Sequence, residues 1–152
     1  MVPRAWVSLR DIGQREFCMK QPSIVLHYDP LVAPAPAEWL ALTETERIQL
    51  AADYHRRARI RLPNAKIHAI VHAIVEAQIA LGHETPAQRT AQRLMDEGLD
   101  RHEAIHAIGS VLMGFIFNFP KRREPDDPGT NPNSAYFAEL ERLTAEEWLR
   151  LG

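Results

Sequence analysis

From residue 43 to residue 118, apolar residues recur three and four positions apart, and each run is framed by helix start and stop signals. Thr43-Glu-Thr-Glu46 is a capping box and predicts a helix to about Arg59. Asn64 predicts the cap of a second helix through about Leu81, ended by Gly82. Thr85-Pro86-Ala-Gln88 offers a cap residue followed by proline at the first helical position, and this third helix ends near Gly98. Asp100-Arg-His-Glu103 is another capping box and opens a fourth helix reaching about Phe117. A further helix runs from Ser134 to about Leu143, and Thr144-Ala-Glu-Glu147 caps a last turn. Before residue 43 the pattern weakens. Ser23 to Tyr28 has strand character, but no partner strand follows. Prolines at 30, 34 and 36 make the stretch a rigid connector.

The expected fold is therefore all-α, with four to five helices in a small orthogonal or bundle-like array. An irregular proline-rich segment occupies residues 1–42, the helical core 43–119, a mobile loop 120–133, and a C-terminal helix and cap 134–152. Residues 111–119 are too short for a membrane span and read as a buried helix end. Trp39 is expected to anchor the connector, and Trp148 and Leu149 the C-terminal turn. Gly109 and Gly114 lower helix propensity but would let a neighbour approach closely.

A chain of 152 residues with a formal net charge of -2 suits one domain and carries too weak a field for a protein built to bind nucleic acid. The basic runs at residues 56–61 and 121–123 read as solvated faces and helix ends. Cys18 is the sole cysteine, so no intrachain disulfide can form, which fits a reducing compartment. The first residues lack the apolar core of a signal peptide, and a cytoplasmic location is expected.

The chemistry concentrates in two pairs of histidines, each four residues and hence one helical turn apart. His68 and His72 share a stripe with Glu76, and His102 and His106 align on the fourth predicted helix. Both stripes border the apolar face. If the two helices touch, four imidazoles and a carboxylate converge on a divalent metal. Zn is the first expectation, then Fe or Ni. Glu76 would be a fifth ligand, or would orient an imidazole from behind. Arg101 has Glu76 and Glu103 as candidate partners, or a place on the surface.

His102-Glu103-Ala104-Ile105-His106 also spells the His-Glu-x-x-His pattern of metalloproteases. Asp100 makes Glu103 the third residue of the helix, where its best-supported role is to close the capping box. His27, His55 and His83 stand alone and read as surface or loop residues. Tyr54 and Tyr136 read as packing residues, and Gln78 as a partner for a buried polar group. The chain has no phosphate-binding loop, dinucleotide fingerprint or serine triad.

The segment from Asn64 to about Val111 resembles an uncharacterised bacterial helical domain family. The resemblance rests on His68-x-x-x-His72, Glu76-Ala-Gln78 and Asp100-Arg101-His102-x-x-x-His106. It implies a small helical domain in which the two histidine pairs form one recurring arrangement, and it brings no activity. Met113-Gly114 replaces a stretch that is more polar in the similar proteins, so a ligand located there would be missing from this chain.

The functional expectation is a divalent-metal-binding domain, with hydrolysis of a small substrate by metal-bound water as its catalytic form. The alternative is a non-catalytic homodimeric interaction or structural module, with the histidines satisfied within the protein. An exposed apolar patch near residues 111–119 would favour the module. A pocket lined by converging histidines would favour the metal.

Overall fold

A computed structural model describes residues 27–118 and 131–151. Cys18, most of the strand-like stretch and the basic run at 121–123 lie outside the described residues. Within them the fold is all-α. The helices are α1 (Pro36–Ala41), α2 (Glu44–Arg57), α3 (Ala65–Ala80), α4 (Ala87–Asp96), α5 (Arg101–Asn118), α6 (Ser134–Arg142) and α7 (Ala145–Leu151), with a 3-10 turn at Gly82–Glu84. The expected four to five helices are thus corrected to seven among the described residues. One addition is α1, inside the stretch expected to be irregular. Pro36 occupies its first turn, where a missing N–H costs nothing, and Ala35 supplies no side-chain cap that would have announced it. The other is α7, 7 residues long where a single turn is expected.

Four of the capping signals act as read, whereas α4 starts one residue later than expected, at Ala87, with Pro86 in the cap position and no side-chain cap. Thr43 and Glu46 close a reciprocal box on α2. The Asn64 side chain accepts from Ile67 N–H on α3. Asp100 accepts from Glu103 N–H at 2.8 Å, and Thr144 from Glu147 N–H at 3.2 Å. Each such cap contributes about 0.5–2 kcal/mol. Just beyond the C-cap Ala58 of α2, Arg59 takes a left-handed conformation at φ 55°, which lets Ile60 N–H reach the His55 carbonyl at 3.1 Å.

Helix α3 lies between two clusters. Ala69 faces Tyr28, Trp39 and Ala51 on one side. Val75 faces Leu94, Ile105, Ile108 and Leu140 on the other. Full burial of Ile105 and Ile108 contributes roughly 1.5–3 kcal/mol for each. Trp39 and Trp148 dock as expected, but Leu149 is 63% exposed. The end of α5 is not the buried end expected: Ile116 is 46% exposed and Phe117 66%.

Gly109 sets the approach of α5 to α3. A Cβ there would sit 2.5 Å from Val71 Cγ1, inside van der Waals contact. Gly114, in contrast, faces open space. Gly109→Ala is expected to lower stability by about 1–3 kcal/mol through overpacking. Urea unfolding of Gly109→Ala with and without Val71→Ala checks this, because the smaller partner should recover part of the loss.

Candidate metal centre

Three helices supply five histidines. His68 and His72 rise one turn apart on α3, and His102 and His106 one turn apart on α5. The close pass at Gly109 brings these two stripes face to face. The fifth is His55, in the last turn of α2, buried rather than at the surface. It follows Ile48, Ala51 and Ala52 at helical spacing, so the stripe that buries α2 also carries this ring inward. One nitrogen from each of His55, His68, His72, His102 and His106 lies within 4.8 Å of every other, a cluster able to hold a metal ion. His27 and His83 are exposed and outside it.

Four of these nitrogens form a chain of close contacts. Nε2 of His55 is 3.0 Å from Nε2 of His68, which is 3.1 Å from Nε2 of His106, which is 3.0 Å from Nε2 of His72. The fifth, His102 Nε2, is buried without a hydrogen-bond partner, although its ring centroid is 4.3 Å from that of His106.

Contacts behind the rings fix two of the tautomers. His55 Nδ1 is 2.8 Å from the Ala51 carbonyl, which can only accept, so Nδ1 carries the proton. His72 Nδ1 is 3.1 Å from the Tyr28 hydroxyl, and that hydroxyl donates to Glu76 Oε1 at 2.8 Å. The Glu76 carboxylate also accepts both arms of Arg101, each at 2.7 Å, so the Tyr28 proton points to Glu76 and His72 Nδ1–H donates to Tyr28. Neutral His55 and His72 therefore both present a bare Nε2 to the cluster.

No set of neutral tautomers then satisfies the chain. His68 must carry a proton on Nε2 to donate to His55. His106 must carry one to donate to His72. The two protons then meet across the 3.1 Å gap between His68 and His106. Removing either one leaves two lone pairs facing each other. One cation among the nitrogens removes the conflict. Two nitrogens each about 2.1 Å from an ion stand about 3.0 Å apart at right angles and at most about 4.2 Å apart. The three contacts match the first spacing, and the set of five, which spans up to 4.8 Å, would have to contract to place every nitrogen on one ion.

Of the five residues expected from the sequence, the four histidines come together and Glu76 stands apart from them. Its side chain is fully buried and paired with Arg101, which also donates to the Pro30 carbonyl at 2.7 Å. Glu76 reaches His72 through the Tyr28 hydroxyl. Sequence reading misses His55 and Tyr28. The helical spacing of Ile48, Ala51 and His55 carried a signal for the first. The second comes from a loop 44 positions away from His72 and had none. Tyr28→Phe would strip the acceptor from His72 Nδ1–H. A 10–100-fold loss of metal affinity is expected, measured by chelator competition.

Burial dominates the electrostatics. Desolvation, followed by the positive potential of neighbouring rings, lowers His68 to about 4. Burial first, then the other rings, lowers His106 to about 4, and burial with His55 does the same to His102. His72 is pushed further down by the same causes, and His55 is lowered by desolvation. All five rings are neutral near pH 7 and need lose no proton to bind a cation. Burial, then the charge of Glu76, raises the Tyr28 hydroxyl far above its ordinary value and keeps it a donor. Burial pulls the Arg101 guanidinium down, but the contacts with Glu76 outweigh it and leave it raised.

Glu103 takes the capping-box place, with Asp100 N–H 3.4 Å from its carboxylate, and is not poised as a protease base. Gln78 accepts from the buried Tyr136 hydroxyl at 2.7 Å. A cavity of about 330 Å³ opens beside the cluster and touches His68, His72 and His106. No helix among the described residues is long and apolar enough to cross a membrane. Comparison with protein-family models, curated proteins and solved structures finds no match.

Proposed function

We propose that this chain is a helical module that binds one divalent metal through His55, His68, His72, His102 and His106, with a binding or structural rather than a hydrolytic role. The observation that carries the reading is the chain of four Nε2 atoms whose contacts no neutral proton arrangement satisfies. The orphaned His102 Nε2 supports it. The Glu76–Tyr28–His72 relay supports it too, since partners behind a ligating imidazole hold its tautomer and orientation. Neutral imidazoles suit Zn, Fe and Ni alike, so the donor set does not rank them. Hydrolysis is not favoured, because the Glu76 carboxylate is paired with Arg101 and that of Glu103 faces the Asp100 N–H in the capping box. The likeness of residues 64–111 to a bacterial helical family belongs to the same proposal, with the two histidine pairs as its recurring part.

A second reading has its own support. The ring nitrogens lie within hydrogen-bond distance of one another, so partial satisfaction without metal is open to them. The exposed Ile116 and Phe117 offer an apolar contact for a homodimer. Chelator competition with Zn, Fe and Ni separates the two. The metal reading expects one ion per chain, lost in His72→Ala/His106→Ala while helical content stays unchanged. A folded wild type that takes up none of the three would leave the structural module standing.

A further inference from the structure

We propose that the cavity beside the histidines binds a small monocarboxylate with an aliphatic tail, its head group on the metal and its tail along the cavity wall. This rests on the metal reading above. The first argument is charge. Five imidazoles are neutral donors, so a bound dication keeps its full charge. The nearest buried carboxylate, Glu76, is already neutralised by Arg101 and lies outside the nitrogen cluster. An anion supplied from outside would complete the balance in a partly desolvated site.

The cavity selects the rest of the molecule. Three of the five histidines form part of its wall, so a ligand there reaches the metal directly. The remaining wall is mainly apolar, with Leu62, Pro63, Ile67, Val71, Met113 and Trp148. Among the described residues no lysine, arginine, aspartate or glutamate lines it. A second charge lying against that wall would find no partner there. The polar members are occupied: Ser110 donates to the Ala107 carbonyl, and the Asn64 side chain caps α3. Sugars and amino acids, rich in groups that need partners, are therefore poorly matched. A volume of about 330 Å³ is at the small end for ligand pockets, which suits a short chain. Met113 is part of this apolar wall.

Cobalt-loaded protein tests the proposal, because the visible bands of Co(II) respond to a new ligand. The probes are hexanoate, acetate and the dicarboxylate adipate. Hexanoate should shift the bands at concentrations at least tenfold below those needed for acetate or adipate. Met113→Trp, which fills the cavity, should abolish that advantage while leaving the unliganded cobalt spectrum intact. If that variant does not fold, Ile67→Trp at the 39% exposed mouth carries the same test. Stoichiometric cobalt with no response, or with equal responses to hexanoate and acetate, overturns the carboxylate site and leaves the metal reading in place. Failure to bind cobalt at all overturns both.

Discussion

Replacing Arg101 with methionine is expected to lower stability by about 3–5 kcal/mol, the cost of leaving a buried charge without its partner. The side chain of Glu76 has no exposure and that of Arg101 only 10%. The guanidinium meets both carboxylate oxygens and the Pro30 carbonyl, tying the start of α5 to α3 and to the loop that carries Tyr28. Arg101→Lys should lie in between, since a single ammonium cannot make the forked contact. Glu76→Gln/Arg101→Met should cost less than the two single changes summed, by at least about 1 kcal/mol, because the charge and its partner leave together. Urea unfolding of the wild type and the four variants measures these terms. A change below about 0.5 kcal/mol for Arg101→Met, the range of an ordinary surface substitution, would contradict this account of the ion pair.

Acid is expected to destabilise the metal-free protein well above the range where carboxylates titrate. In the unfolded chain histidine has its ordinary value near 6.5, whereas His68, His102 and His106 are held at about 4 when folded. Below pH 6.5 the unfolded state takes up protons that the folded state refuses. Stability is thus complete above that pH, falls as pH drops, and levels off near 4. Each histidine contributes at most about 1.4 kcal/mol per pH unit. Their partial exposure discounts the sum to roughly 3–5 kcal/mol over the window. A metal that binds only the folded state adds about 4 kcal/mol at a thousandfold excess over its Kd. At neutral pH this raises the Tm by roughly 15 °C. Thermal unfolding from pH 7.5 to 4, with and without metal, checks both effects. A flat profile between 6.5 and 4 without metal would remove the cluster from the pH response.

Local signals were legible and long-range ones were not. Thr43, Asn64, Asp100 and Thr144 each mark a helix start because a cap is written within four residues. The pairs His68/His72 and His102/His106 were legible for the same reason, as a spacing within one helix. Their meeting depends on Gly109 admitting Val71, a contact across 38 positions that periodicity cannot show. Helix α1 was hidden because prolines that read as a connector also suit a helix start and no capping side chain precedes them. Glu76 looked like a ligand because it shares a stripe with His68 and His72. Arg101, from another helix, engages it instead. His55 has no histidine neighbour in sequence and so reads as a surface residue, although its helix carries the buried spacing that turns it inward.

X-ray absorption at the metal edge tests the central claim most directly, because scattering from imidazole rings counts histidine ligands independently of any activity. Protein purified without a histidine tag would be loaded with one equivalent of Zn and compared with His55→Ala and Glu76→Gln. The account predicts a shell of four to five nitrogen or oxygen neighbours at about 2.0–2.1 Å with strong imidazole scattering. That signal should weaken in His55→Ala and stay unchanged in Glu76→Gln. A spectrum indifferent to His55 but altered by Glu76→Gln, or protein that retains no metal, would contradict it.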